Sequence, residues 1–351
     1  MATIFDPIKL GDIELKNRII MAPLTRCRAD AGRVPNALMA EYYVQRASAG
    51  LILSEATSVT PMGVGYPDTP GIWSNDQVRG WSNVTKAIHG AGGKIFLQLW
   101  HVGRISHPSY LNGETPVAPS AIQPKGHVSL VRPLADYPTP RALETAEIAD
   151  IVEAYRVGAE NAKAAGFDGV EIHGANGYLV HQFFAPNANT RSDQYGGDIA
   201  NRVRFALEVA AAVADEIGAD RTAIRLSPGS TAGGIAEGEQ GPDLYRHLVA
   251  GLDRLNLAYL HLMDQGDEAL LRDLRAAWHG TLVLNRPGRP RENIGADVAS
   301  GLADVEAHGQ LVLANPDFIA RLQANAPMNA PQHATYYGGA EAGYTDYPAL
   351  A

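Results

Sequence analysis

A histidine, an asparagine and a tyrosine sit close together in the run Glu171-Ile172-His173-Gly174-Ala175-Asn176-Gly177-Tyr178. The run begins as an apolar strand and reaches a turn at Gly174. His173 and Asn176, three residues apart across that turn, can donate jointly to one oxygen. Two donors on a carbonyl oxygen polarise a conjugated C=C bond, by the electrostatics of an oxyanion hole. Tyr178 follows closely and offers a phenol that can protonate the α-carbon while hydride arrives at the β-carbon. Taken alone, the same residues also describe a core histidine with a capping asparagine.

Competing chemistries have less support. His101, His107, His173 and His181 lack acidic or thiolate partners at ligand spacing, so no metal is expected. Ser-His-Asp hydrolysis lacks its Gly-x-Ser-x-Gly elbow. A formal charge of −9 over 351 residues argues against nucleic acid, which needs clustered Lys and Arg. Cys27 is the only cysteine, so no intrachain disulfide can form and a reducing compartment fits. The first residues show no signal-peptide pattern, and no apolar run approaches the ~20 residues that span a bilayer. The expectation is a cytoplasmic protein acting on small molecules, with neither nucleic acid nor membrane as partner. Whether it forms a homo-oligomer is left open.

Short apolar runs alternating with helical patterns must position these residues, the signature of a parallel sheet with crossover helices. The runs are Ile19–Pro23, Gly50–Glu55, Lys94–Leu99, Gly169–His173, Ala223–Ser227, Ala258–Met263, Thr281–Asn285 and Asp304–Gly309. They are continuously apolar, as strands covered on both faces should be. Helical spacing predicts helices over Thr145–Ala165 and Asn201–Ile217, stopped by Gly166 and Gly218. A doubly wound sheet would open with a Gly-rich fingerprint after its first strand. Here that turn reads Pro23-Leu24-Thr25-Arg26. The fold expected is therefore a (β/α)₈ TIM barrel, one domain over residues 1–351. An inserted loop spans about 106–141, and a tail rich in tyrosine docks from about 327.

In such a barrel, chemistry sits at the carboxyl ends of the strands. Thr25, Gln98, His173 and Arg225 fall in or just after four of the apolar runs. Buried polar groups need partners, and a planar heterocycle with carbonyls and ring nitrogens would supply them.

These residues resemble the Old Yellow Enzyme family of FMN-dependent ene-reductases. The similarity runs from Phe5-Asp6-Pro7 to Gly343-Tyr344-Thr345-Asp346-Tyr347-Pro348. It is carried by Met21-Ala22-Pro23-Leu24-Thr25-Arg26, Gln98-Leu99-Trp100-His101, the Glu171–Tyr178 run, Arg191-Ser192-Asp193-Gln194-Tyr195-Gly196-Gly197 and Ala314-Asn315-Pro316-Asp317. The resemblance implies that Thr25 hydrogen-bonds the flavin O4, that Pro23 and Ala56 flank the ring, and that Gln98 bonds its pyrimidine edge. Arg225 would place positive charge near N1 and O2. His173 and Asn176 would bind the substrate's activating oxygen, and Tyr178 would donate the proton. Trp100, Tyr66 and Tyr337 would line the pocket, and NADPH would be the reductant.

Two departures both concern the phosphate end of the cofactor. The family's Gly-rich turn after the seventh strand is replaced by Asn285-Arg286-Pro287-Gly288-Arg289-Pro290-Arg291, whose prolines have no amide hydrogen. The family's Gly-Arg after the eighth strand is here Gly309-Gln310. Arg286, Arg289 and Arg291 then belong to a solvated loop, grip the FMN phosphate from a new direction, or face the longer anionic tail of a deazaflavin coenzyme.

The activity expected is reduction of activated alkenes (unsaturated aldehydes and ketones, nitroalkenes, maleimides). The alternatives are the same reaction with a reduced deazaflavin, and a redox-inactive barrel that isomerises or binds small molecules.

Overall fold

Eight short, fully apolar segments have both faces to bury, and the computed structural model, which describes residues 2–350, closes them into one parallel barrel. The strands are β1 (Ile19–Met21), β2 (Leu51–Leu53), β3 (Ile95–Trp100), β4 (Gly169–Gly174), β5 (Thr222–Leu226), β6 (Tyr259–Met263), β7 (Thr281–Asn285) and β8 (Val305–His308). Each pairs in parallel with the next, and β8 closes on β1 through the register Glu306↔Ile19 and His308↔Met21. All eight expected strands are present. Pro23, Glu55 and Ser227, expected inside them, lie just beyond their ends.

Alternation along each strand sorts side chains inward and outward. Ile20, Leu51, Leu53, Phe96, Ala223, Tyr259, Val283, Val305 and Ala307 fill the barrel. A hairpin formed by Ile8–Leu10 and Ile13–Leu15 adds Leu10, Ile13 and Leu15 to that cluster. Two residues further along, the inward side changes from apolar to polar: Phe96 is followed by Gln98, Ala223 by Arg225, Tyr259 by His261, Val283 by Asn285. This change in the sequence creates a site at one end only.

Helices cover the outside. The expected helix over Thr145–Ala165 is observed as Thr145–Ala164, opened by Glu144 and Glu147 in a capping box. The second, expected from Asn201, begins earlier and spans Ile199–Ile217. The segment from Ser106 to Arg141 is mostly irregular. It lays Val128 and Tyr137 over Ala56, Trp100, Val102 and Ile105 at the polar end of the barrel. The tail lies against the loop after β1: Arg26 donates to Tyr336 O at 2.9 Å and Gly343 O at 2.7 Å, and Tyr344 stacks on Tyr42. Among the described residues, no helix is long and apolar enough to cross a membrane.

Candidate active site

The strand register alone brings the polar residues together. Gln98 lies beside Glu171, His173 beside Arg225, and Arg225 beside His261.

His173 is buried at the end of β4, where the Ala175 amide donates to its Nδ1 at 3.3 Å. The ring proton is therefore on Nε2, which remains free to donate. Burial and the nearby Arg225 cation push the imidazole well below its usual pKa, so it is neutral. Tyr178 packs edge-on to His173 and to Trp100, with ring centroids 4.9 and 5.0 Å away. Its hydroxyl is 3.0 Å from that of Tyr66. Burial, with Tyr66 beside it, raises the Tyr178 phenol well above its ordinary value and keeps it protonated.

The turn between them is tightly held. Asn176 adopts a left-handed conformation (φ 58°), and its amide donates to Ser227 Oγ at 2.9 Å. Its side-chain oxygen is buried without a partner. Gly177 also has positive φ, and a Cβ there would lie 2.2 Å from Ala232 O, so only glycine fits. The Gly177 amide donates to His181 Nδ1 at 3.0 Å, leaving His181 Nε2–H to donate to Glu237 at 2.7 Å. Gln182 Nε2 donates to Gly177 O at 2.8 Å. His181, buried against Glu237 and Tyr245, serves as a brace for the turn.

Deeper in the barrel, Glu171 accepts from Gln98 Nε2 at 2.8 Å, His261 Nδ1 at 2.8 Å and Tyr259 OH at 3.1 Å. Burial opposes its charge, but His261, Arg225 and Gln98 together hold its pKa below the usual range. An ionised carboxylate only accepts, so Gln98 must turn its NH₂ toward it and leave its carbonyl oxygen for a ligand. Arg225 Nη2 donates to Asn285 Oδ1 at 3.1 Å, while Asn285 is itself fixed by donating to Ala307 O at 2.7 Å. Arg225 Nε and Trp100 Nε1 are buried without partners. Thr25, Pro23 and Ala56 border the same end, Thr25 and Pro23 half-buried and Ala56 buried. Glu55 accepts from the Arg26 and Cys27 amides at 3.1 and 3.4 Å and so fixes the chain just after Thr25.

A cavity of about 340 Å³ continues outward from Arg225 along Pro23, Asn285, Arg286, Gly288, Arg289, His308, Gly309 and Gln310. A larger cleft, about 770 Å³, lies elsewhere between Arg33, Trp73 and Tyr110 and includes none of the residues above.

The family of NADH:flavin oxidoreductase / NADH oxidase proteins matches residues 3–329. The chain belongs to that family. It is 42% identical over 353 residues to a protein of Leishmania infantum named probable flavin mononucleotide-dependent alkene reductase, covering 97% of this chain and 96% of that one. Morphinone reductase in complex with tetrahydroNAD superposes with a TM-score of 0.96 at 46% identity, over 100% of this chain and 98% of that chain. The old yellow enzyme homologue from Zymomonas mobilis gives a TM-score of 0.96 at 41% identity, over 99% and 100%. This member of the Old Yellow Enzyme family is a nicotinamide-dependent flavin oxidoreductase.

The ring end of the site suits a flavin. The unpartnered buried donor on Arg225 and the Gln98 carbonyl match a planar ring with acceptor and donor atoms on its edge. At the other end, the three arginines, for which three readings stood open, all have protein partners. Arg286 pairs with Asp264, Glu268 and Asp297, and Arg289 with Asp297 and Glu306. Arg291 donates to Asn325 Oδ1 at 3.1 Å. Two guanidiniums among four carboxylates make a poor seat for a longer polyanionic tail, so the deazaflavin reading loses its motive. Tyr337 stands at the rim, 49% exposed. Sequence reasoning missed Glu171, His261, Asn285, Gln182 and Glu237. A signal was present for three of them, since Glu171, His261 and Asn285 are polar residues on the inward face of otherwise apolar strands.

Proposed function

We propose that this chain reduces the C=C bond of alkenes conjugated to a carbonyl or nitro group, with FMN as cofactor and NADPH as reductant. Bound FMN supplies the hydride it has received from the nicotinamide, and the protein does the rest. His173, neutral and with Nε2–H free, donates to the activating oxygen together with the side-chain Nδ2–H of Asn176. That pair draws electron density from the β-carbon and stabilises charge on the oxygen as it develops. Tyr178, held as the neutral phenol, delivers its proton to the α-carbon and is reset through Tyr66. Trp100 and the loop bearing Val128 and Tyr137 exclude water from the reacting atoms. Thr25, Gln98 and Arg225 hold the ring edge.

The observation that carries this reading is the convergence of a neutral imidazole and a protonated phenol on Trp100, with the Asn176 turn held between them in the chain. Separating the two half-reactions tests it. Tyr178→Phe should slow saturation of an enone by about 10²–10⁴-fold while flavin reduction by NADPH keeps its rate. Equal losses in both halves would remove Tyr178 from the proton-donor role.

A further inference from the structure

The cavity beyond Arg225 is lined by Arg286, Arg289 and Arg291; Arg291 donates to the neutral Asn325, whereas Arg286 and Arg289 are held by carboxylates. Arg289 is 11% exposed at its side chain and lies between Asp297 and Glu306, at 3.1 Å from the latter. Glu306 is 2% exposed and also accepts from the Gly295 and Asp297 amides at 2.9 and 3.0 Å. His308, on the same outward face of β8, has Nε2 3.2 Å from Glu306. Asp297 bridges Arg289 to Arg286, whose other contacts are Asp264 and Glu268. The residue at the mouth of the cavity, Gln310, is exposed and neutral.

In a (β/α)₈ barrel the loops after strands seven and eight are where a phosphate group is held. A phosphate at this cavity would find Arg286 and Arg289 already occupied by carboxylates, of which Glu306 is fixed by two backbone amides. We propose that Arg289 is the residue that meets the cofactor's phosphate and that Glu306 and Asp297 compete with the phosphate for it. The chain consequently favours a phosphorylated flavin over an unphosphorylated one only weakly. This rests on the reading of the adjoining barrel end as the flavin-ring site. Charge-assisted pairs are strong when made to a free partner, but here one such pair is exchanged for another, and the carboxylates repel the incoming anion.

The experiment is a titration of the flavin-stripped protein with FMN and with riboflavin, read by quenching of flavin fluorescence. Wild-type protein should bind FMN no more than about tenfold tighter than riboflavin. Glu306→Gln removes the charge and keeps an acceptor oxygen for one of the two amides, which bind different carboxylate oxygens; it should tighten FMN about tenfold and leave riboflavin unchanged. Gln310→Arg, at an exposed position that does not threaten folding, should do the same. Arg289→Ala should erase the preference. A wild-type preference of about a thousandfold or more, or no gain in FMN affinity from either Glu306→Gln or Gln310→Arg, would overturn the proposal. An Arg289→Ala variant with an unchanged ratio would overturn it too, by placing the phosphate elsewhere, with the ring site intact because riboflavin still binds. Failure of both flavins to bind would overturn the flavin-site reading itself.

Discussion

The hydroxyls of Tyr66 and Tyr178 lie 3.0 Å apart, although their positions are separated by more than a hundred residues and they come from loops after different strands. Tyr178 is the phenol closest to His173, and Tyr66 gives it a hydrogen-bond partner in a site otherwise walled by Trp100 and Ile105. Under the proposed mechanism the pair would be a proton donor with a built-in path for replacement. Tyr66→Phe should therefore lower the rate of alkene saturation by about tenfold, the cost of one ordinary hydrogen bond, and less than Tyr178→Phe does. Stopped-flow rates of the oxidative half-reaction would check the order, and a Tyr66→Phe defect as large as that of Tyr178→Phe would assign the proton to the wrong tyrosine.

His173 gives a prediction in pH. Its imidazole is depressed by burial and by Arg225, so it stays neutral through the range where an exposed histidine titrates. Substrate saturation should show no inflection between about pH 5.5 and 8 that disappears in His173→Gln. The same variant should lower the rate constant for enone reduction by about 10²-fold through loss of one donor. An inflection near the ordinary histidine pKa, abolished by the substitution, would mean that the imidazolium is the working form.

Glu171 dictates which end of the Gln98 amide is left free at the polar end of the barrel. Glu171→Gln can donate as well as accept, so it lets Gln98 turn over and also leaves His261 and Tyr259 with a weaker acceptor. Riboflavin and FMN should both bind about tenfold more weakly to it, consistent with loss of one oriented contact. Unchanged affinity for both in a folded variant would show that the amide's orientation is fixed by something other than the carboxylate.

Glu55 offers a stability test. It is fully buried, one of its oxygens has no partner, and burial pushes its pKa up to about 7. In the unfolded chain it titrates near the ordinary carboxylate value, so the folded state holds the proton to higher pH. The stabilisation this confers is complete below the unfolded pKa of about 4.5 and is lost as pH rises through about 7, a change on the order of 3 kcal/mol. Glu55→Gln should flatten that slope in urea unfolding measured across the interval. A slope that persists in the variant would assign it to other groups.

The barrel is legible in the sequence because its strands are buried on both faces and so read as unbroken apolar runs between helical patterns. The His173–Tyr178 turn is legible too, since its residues are neighbours in the chain. The Gln98–Glu171–His261 alliance is harder to see because its members come from three strands, and only the register places them together. The ionic cluster around Arg286 and Arg289 was hidden for a different reason. Its carboxylates, Asp264, Glu268, Asp297 and Glu306, belong to segments on both sides of the loop, and sequence spacing gives no hint that they converge. Spacing therefore leaves a solvated loop, a phosphate grip and a longer anionic tail all open for the three arginines, two of which the structure pairs with carboxylates.

The most direct test of the account is to incubate the FMN-loaded protein with NADPH and 2-cyclohexenone in D₂O without oxygen, and to analyse the product by mass spectrometry and NMR. The account predicts saturated ketone with solvent deuterium at the α-carbon, the carbon that receives the Tyr178 proton. Oxidation of NADPH with no saturated product, by protein that retains its flavin, would contradict it.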